Sequence, residues 1–385
     1  MKILADANIP YVVDCFSSIG DVHVLSGREI KKDVVADADI LLVRSITPVF
    51  ADLLTGSKVR FVATATIGFD HVDVDFLRHN EIGFASAPGS NANSAAEYVV
   101  AAILEIAQKH NVTLEGKSIG IIGVGNVGSR VCKKCRALDM EVLLNDPPLY
   151  RQTDDPKYLP LQELFNCDFI TFHTPLTFEG IDKTFHLADE NFFKSLKQDC
   201  IFINASRGGV VDSISLEASI KTKRLKAVAL DVWENEPNID TKLLEMVNIG
   251  TPHIAGYSYD GKIAGLIMIY KSVCEYFGIK PEHEISDFLP EPQVKTIELS
   301  GKIKKEQEII SDTVRKIYNV SQDDANLRLI SKEPAKNIVK YFDNLRKNYP
   351  VRREFQNTKV ILKNVKSALA NKLEGIGFKV EKSAK

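Results

Sequence analysis

At 385 residues, with 44% hydrophobic and 26% charged residues, the chain has the composition of an ordinary globular protein and the length of two or three domains. Its formal charge of −2 gives no basis for binding nucleic acid or an anionic membrane surface, and no apolar run is long enough to span a bilayer. The segment MKILADANIP runs straight into a strand with no signal peptide expected, and six scattered cysteines read as reduced thiols of a cytoplasmic protein.

In chain order, strands are predicted at residues 2–5, 22–25, 40–43, 61–65 and 82–85, with helices at 10–18 and 74–79. This is a small α/β domain with polar loops at its strand ends. Ala87-Pro88-Gly89-Ser90 breaks it, and Asn93 or Ser94 is suited to cap a long helix through about Gln108. A glycine-rich stretch comes next in the chain. Ile119, Ile121 and Ile122 suit a buried parallel strand, and Gly123, Gly125 and Gly128 form G-x-G-x-x-G. Val127, Val131, Cys135 and Leu138 share one face of a helix over 126–138, residues 141–145 read as the next strand, and Asp146 ends it. Gly123 allows the tight turn, Gly125 lets a pyrophosphate approach, and Gly128 brings helix and strand together. The helix N-terminus favours phosphate, and Asp146 is placed to accept hydrogen bonds from the adenosine ribose. A lone glycine motif is weak, but strand, helix, strand and acid in this order point to a dinucleotide. Asp146 would repel a 2′-phosphate, which favours NAD over NADP. Cys132 and Cys135 form C-x-x-C inside the helix, where one thiol packed inward and one near the surface are expected.

The alternation continues with strands at 168–172, 200–204, 227–230 and 248–250 and helices at 161–165, 189–196 and 213–222; a helix at 265–277 returns to the first domain. From about Ser286 the texture changes to helices at 302–318, 336–347 and 365–373 around a strand at 359–362. The expected fold is α/β: a Rossmann-type parallel-sheet NAD domain (94–255) inserted in a smaller flavodoxin-like α/β substrate domain (1–93 and 256–285), plus a C-terminal α+β dimerisation domain (286–385).

Open parallel sheets bind ligands at the carboxyl ends of their strands. Thr174, Arg207, Asp231 and His253 all fall at such ends, and Glu236 lies in the loop after one of them. This set suits oxidation of a secondary alcohol. The nicotinamide takes the hydride, and a histidine takes the hydroxyl proton near neutrality. A carboxylate orients the ring, and an arginine holds a carboxylate or developing ketone with paired hydrogen bonds. Singly, each residue is as readily a loop or surface group. No His/Cys/Asp/Glu cluster has metal-ligand spacing, and no metal is expected. His71, His79 and His173 read as structural or secondary.

These residues resemble the D-2-hydroxyacid dehydrogenase family over roughly residues 1–280, through the GVGNVG loop, Asn204-Ala205-Ser206-Arg207-Gly208, Ala229-Leu230-Asp231-Val232, Glu236-Pro237 and Thr251-Pro252-His253-Ile254-Ala255-Gly256. The resemblance implies catalytic Arg207, Glu236 and His253, with His253 as acid/base. It also implies that Asp146, Thr174, Asp231 and Gly256, with the loop residues Gly123, Gly125, Asn126, Val127 and Gly128, hold NAD. Val43-Arg44-Ser45, Thr64-Ala65-Thr66, Phe172 to Leu176, His253 to Tyr257 and Leu345-Arg346-Lys347-Asn348-Tyr349 resemble a subgroup with a C-terminal domain that oxidises a small phosphorylated hydroxy acid. That implies substrate contacts from Ser45, Thr66 and Tyr257. Ile67 departs from the subgroup's turn, where a smaller residue is expected; backbone N–H groups would make the contact. A 3-phosphoglycerate or hydroxypyruvate/glyoxylate type of dehydrogenase is the alternative enzyme, and an NAD-sensing binding protein the alternative class.

Two expectations concern the last hundred residues. Ile309, Ile310, Val314 and Ile317 make a face that needs a partner: a second copy, giving a homodimer, or the domain's own core. Arg346, Lys347, Arg352 and Arg353 form either a solvated basic face or a phosphate site, with Arg346 or, from the first domain, Arg44 as the phosphate ligand.

Overall fold

The computed structural model describes residues 1–300, 305–363 and 367–382; the predicted helical residues 302–304 and 365–366 lie outside the described residues. Two compact units are present, residues 1–91 with 258–291, and residues 92–257 with 292–385.

The first unit is built on five parallel strands: β1 (Lys2–Asp6), β2 (Asp21–Leu25), β3 (Ile40–Val43), β4 (Phe61–Thr64) and β5 (Gly83–Ala85). Their order is β2-β1-β3-β4-β5, the flavodoxin-like order. β3 and β4 are buried at every position, as a parallel strand covered on both faces requires. The helix Tyr259–Phe277 supplies one cover, with Ile263, Leu266 and Tyr270 packed in the cluster that holds Ile3, Ile40 and Phe61. It begins at Tyr259, ahead of the predicted Gly265, because the Ser258 hydroxyl caps it by accepting the Gly261 N–H at 2.8 Å.

The second unit carries a six-stranded parallel sheet: β6 (Ser118–Ile122), β7 (Glu141–Asn145), β8 (Phe169–Phe172), β9 (Cys200–Asn204), β10 (Leu225–Leu230) and β11 (Ile249–Gly250), ordered β11-β10-β9-β8-β6-β7. The strand order reverses between β6 and β8, and a doubly wound sheet binds its ligand at such a point. The long helix is Ala92–Lys109, so Asn93 and Ser94 lie in its first turn and are not its caps. Their side chains instead donate to Glu354, at 2.7 Å each.

The C-terminal region differs from expectation in two respects. Its sheet has three strands, β12 (Thr296–Ser300), β13 (Lys359–Lys363) and β14 (Lys379–Lys382), and all pair in parallel, so the region is α/β and not α+β. Nor, among the described residues, does it have a core of its own. Ile310, Val314, Phe355 and Leu373 bury in one cluster with Val99, Ile103 and Val131 of the nucleotide fold. The apolar face of the helix Glu306–Ile317 therefore finds its partner in its own chain, with Ile309 and Ile317 packed against the same cluster. Gln307 fixes the register, accepting from the Leu114 N–H and donating to the Val112 carbonyl. The polar helix Val320–Arg328, absent from the sequence reading, blunts the β11 edge: Asp324 accepts the Gly250 N–H at 2.7 Å, and Arg328 donates to the Leu244 and Val247 carbonyls. The basic stretch is not one solvated face, since Arg352 and Arg353 are buried while Lys347 is exposed. Cys132 and Cys135 are both buried, against the expectation of one near the surface.

Because the C-terminal region completes the nucleotide unit's core, a chain ending at residue 291 would expose the helices Ala92–Lys109 and Asn126–Ala137 along their packed faces. The truncated chain is expected to lose cooperative unfolding and nucleotide binding together. A soluble truncated protein with a sharp thermal transition would show instead that the nucleotide fold stands alone.

Candidate active site

Sequence and local geometry agree at the glycine loop. Gly123 has φ of +86°, and a Cβ there would lie 2.8 Å from the His173 carbonyl, so the turn after β6 fits closely against the end of β8. A Cβ at Gly128 would collide with the Gly123 carbonyl oxygen, whereas the space beside Gly125 is open. The helix Asn126–Ala137 thus starts tight against its strand and presents its amino end past an uncrowded Gly125, a cradle that a side chain would fill. Val127 in its first turn packs against the unit's core. Asp146 ends β7 and accepts the Val124 N–H at 2.7 Å and the Leu149 N–H at 3.0 Å, one on each oxygen. A carboxylate has about four acceptor sites, so lone pairs remain for ribose hydroxyls. Across the loop, the Thr174 hydroxyl is buried without a partner among the described residues, a group that a bound dinucleotide could satisfy. This combination of cradle, helix end and acid fits NAD.

The remaining strand ends are tied together by Asp231. Its carboxylate is 1% exposed and accepts the Thr251 hydroxyl at 2.7 Å, the Ile254 N–H at 2.8 Å and the Ala255 N–H at 2.9 Å. Burial raises its pKa, opposed by His253, by the Thr251 hydroxyl and by the two N–H groups. The Asp231 carbonyl accepts the His253 N–H at 2.7 Å, and Trp233 Nε1 donates to the Thr251 carbonyl at 2.9 Å. His253 is held with φ of +55°, a left-handed conformation that costs a non-glycine residue about 1–2 kcal/mol. Its Nδ1 lies 2.7 Å from Glu236 Oε1, which leaves Nε2 as the nitrogen available to a substrate. Arg207 follows β9 and donates from one guanidinium nitrogen to the Ser206 carbonyl at 2.8 Å. Gly256 and Tyr257 follow directly on this turn. The Tyr257 ring meets Tyr349 edge-on at 5.8 Å, and Arg346 lies over it at 5.7 Å.

Arg44, Ser45 and Thr66 belong to the first unit and follow its β3 and β4. Arg44 is half-buried and donates to the Asn8 carbonyl at 3.4 Å, and Ser45 is exposed. The Thr66 hydroxyl bonds both Thr64 and the Gly68 carbonyl, so its proton is spent within the turn. Ile67 is half-buried. Folding also gathers groups that lie far apart along the chain. His186, Asp212 and Glu234 offer ligand atoms within 4.8 Å of one another. They are occupied locally: His186 Nε2 pairs with Glu234 at 2.7 Å, Glu234 accepts the Ser213 N–H, and Asp212 accepts from Ile214 and Ser215. Tyr98 bonds Thr251 at 2.9 Å from the middle of the long helix, and no motif marked it.

His173 gives the site a pH signature. Its Nε2 bonds the Thr171 hydroxyl at 3.0 Å, its Nδ1 is buried without a partner among the described residues, and burial lowers its pKa from 6.5 to about 3. The folded protein refuses a proton that the unfolded chain accepts. Stability from this group is therefore complete above the unfolded value and is lost as pH falls toward the folded one. Replacing His173 with Gln should flatten the dependence of unfolding free energy on pH by up to about 1.4 kcal/mol per unit between about pH 4 and 6. Urea titrations of both proteins across that range measure it, and equal slopes would mean that His173 titrates normally in the fold.

Residues 91–255 match the family model of the D-isomer specific 2-hydroxyacid dehydrogenase NAD binding domain, and residues 288–377 match a domain of unknown function, DUF3410. Among solved structures, a D-lactate dehydrogenase from Aquifex aeolicus complexed with NAD and lactic acid superposes with a TM-score of 0.60 at 23% identity, covering 72% of this chain and 96% of that one. A 3-phosphoglycerate dehydrogenase with bound NAD+ from Entamoeba histolytica gives 0.61 at 22% identity, over 74% and 98%. These likenesses are of fold. The sequence relatives are nearer: an erythronate-4-phosphate dehydrogenase of Proteus mirabilis is 42% identical over 98% of this chain and 99% of its own length. That of Chromohalobacter salexigens is 42% identical over the full length of both. The chain belongs to the erythronate-4-phosphate dehydrogenase family, within the D-isomer specific 2-hydroxyacid dehydrogenases.

Proposed function

We propose that this protein oxidises C2 of 4-phospho-D-erythronate with NAD, giving (R)-3-hydroxy-2-oxo-4-phosphooxybutanoate on the route to pyridoxal 5′-phosphate, vitamin B6. Full-length relatives at 42% identity support the substrate. The chemistry rests on one observation, the 2.7 Å contact between His253 Nδ1 and Glu236. With Glu236 accepting the Nδ1 proton, Nε2 carries the lone pair and removes the proton of the C2 hydroxyl. The imidazolium so formed keeps its Nδ1–H donated to Glu236. Arg207 binds the substrate carboxylate with paired N–H donors and stabilises the developing ketone oxygen. When bound, NAD supplies the hydride acceptor. Gly123, Gly125, Asn126, Val127 and Gly128 cradle its pyrophosphate, Asp146 its adenosine ribose, and Thr174, Asp231 and Gly256 its nicotinamide half.

Ser45, Thr66 and Tyr257 contact the substrate, Thr66 through its turn because its hydroxyl proton is already used. Arg346 is our choice for the phosphate, with Arg44 as the alternative. Burial works against the charge of Arg346, while Tyr257 and Glu236 favour it, and its Nε is buried without a partner among the described residues. We further infer a cytoplasmic homodimer. Six unpaired, buried cysteines support the compartment, and exposed Leu329, Val339 and Val351 in the C-terminal region support a second copy.

NAD reduction with 4-phosphoerythronate, glycerate, 3-phosphoglycerate and lactate side by side tests the reading. Turnover should be confined largely to the first, and NAD binding without turnover of any would favour a sensor. In the active enzyme, His253→Asn should lower kcat about 10²- to 10⁴-fold with NAD affinity little changed. Near-normal turnover would remove His253 from the mechanism. Arg346→Ala should cost about tenfold to a hundredfold in kcat/KM, the value of a charged hydrogen bond, with NAD binding intact. An unchanged KM would move the phosphate to Arg44 or elsewhere.

A further inference from the structure

The deepest polar group of the C-terminal region is Arg352. It is 6% exposed, in the segment between the helix Ile338–Lys347 and β13. Its three nitrogens diverge to three acceptors: NH1 donates to Glu97 Oε2 at 3.2 Å, NH2 to the Ala255 carbonyl at 3.3 Å, and Nε to the Tyr257 carbonyl at 3.4 Å. Its guanidinium carbon lies 4.1 Å from the centre of the Tyr318 ring. Glu97 is wholly buried in the long helix, and its other oxygen accepts the Phe355 N–H at 2.9 Å and the Asn93 amide at 3.1 Å. Each of these contacts uses Glu97 as acceptor; burial and the nearby Glu354 push its carboxyl up, to about 8, against Lys134, Arg352 and the Phe355 N–H, which favour the carboxylate.

What Arg352 grips is the turn that follows His253. Ala255 and Tyr257 flank Gly256, and Ala255 is pinned from its N–H side by Asp231. The turn is therefore held from both directions, by the nucleotide sheet through Asp231 and by the C-terminal region through Arg352. Tyr349 and Arg346 of the same region pack on the Tyr257 ring.

We propose that Arg352 is a positioning residue for the dehydrogenase reaction, setting from the C-terminal region the backbone of residues 255–257. It thereby sets where Gly256 meets the cofactor and where Tyr257 meets the substrate. Its fork geometry matters beyond its charge. Lysine at this position keeps the charge but has a single nitrogen, which cannot span Glu97 and two carbonyls. The inference rests on the functional reading above for its effect on turnover, but not for its effect on NAD binding.

The test compares Arg352→Lys and Glu97→Gln with the parent and with Lys372→Met. Lys372 is a half-buried cation of the same C-terminal region whose ion pairs run to Asp139 at 2.8 Å, in the loop before β7, and to Glu306 at 3.4 Å, and not to the turn. Three quantities are read on full-length protein well below each variant's melting temperature: the NAD dissociation constant, kcat, and the primary isotope effect on kcat with C2-deuterated 4-phosphoerythronate. Arg352→Lys should weaken NAD binding roughly threefold to tenfold, lower kcat about tenfold and raise the isotope effect as hydride transfer becomes limiting. Glu97→Gln should move all three the same way by less, and Lys372→Met should lower only the melting temperature. Folded Arg352→Lys protein with parental values overturns the proposal, as does an equal loss in Lys372→Met. If Arg352→Lys does not fold, Glu97→Gln decides: a change in NAD binding and isotope effect supports the proposal, and parental values overturn it. Should the parent fail to turn over 4-phosphoerythronate, the substrate reading falls, and the NAD dissociation constants still judge Arg352.

Discussion

One buried carboxylate organises the chemistry of this chain. Asp231 sits at the end of β10 with almost no exposure, where an unpaired charge would cost several kcal/mol. It is satisfied by the Thr251 hydroxyl and by two consecutive N–H groups of the following turn. Meeting that demand fixes the turn. The chain after β11 must bend so that Ile254 and Ala255 both point at Asp231, and His253 is thereby forced into a left-handed conformation with its ring toward Glu236. The strain of about 1–2 kcal/mol at His253 is offset by the hydrogen bonds around it, and it places a titratable ring at a defined angle. Tyr98 and Trp233 brace the same construction by bonding Thr251 from two sides.

The C-terminal region is bound into the same construction. Its amphipathic helix and three-stranded sheet bury their apolar faces on the helices Ala92–Lys109 and Asn126–Ala137, so one core serves both. A region that shares a core with the nucleotide fold can transmit position, because packed interiors deform little. The polar contacts cross the same junction: Glu354 with Asn93 and Ser94, Gln307 with the loop before β6, and Asp324 with the edge strand β11.

What the sequence disclosed follows from the range of the interactions involved. The glycine loop, Asp146 and the residues after β8 to β11 were legible because the chemistry of a parallel sheet collects at strand ends, and strand ends can be read locally. The flavodoxin-like order of the first sheet was legible through its alternating elements. The stripe Ile309, Ile310, Val314 and Ile317 showed that a face was buried but not against what, since periodicity carries no record of the partner. β12 and β14 were missed because their half-exposed sequences, TIELS and KVEK, alternate charge with apolar residues on a small sheet. The helix Val320–Arg328 was missed because its role is polar, covering a strand edge through Asp324 and Arg328. His186, Asp212 and Glu234 come from three separate segments, and only folding makes them neighbours.

Arg352 owes its place to contacts that are distant along the chain. In the sequence it stands in a basic run, and its burial depends on Glu97, which lies 255 positions away. The pair is also poorly explained by stability alone. Desolvating two ions costs several kcal/mol each, and an apolar pair of similar volume commonly holds a core as well or better. An apolar pair, however, cannot donate to the carbonyls of Ala255 and Tyr257, and a buried acceptor left without its donor costs about 1–3 kcal/mol. Once the turn after His253 sends these carbonyls toward the C-terminal region, a branched donor is required there. A cationic donor in turn favours an acceptor beside it that can carry negative charge, which the Glu97 carboxyl supplies against the upward push of its own burial. The ion pair is thus a consequence of the turn, and the turn a consequence of Asp231. A chain of buried polar demands runs from the end of β10 into the C-terminal region, and each step is dictated by the one before.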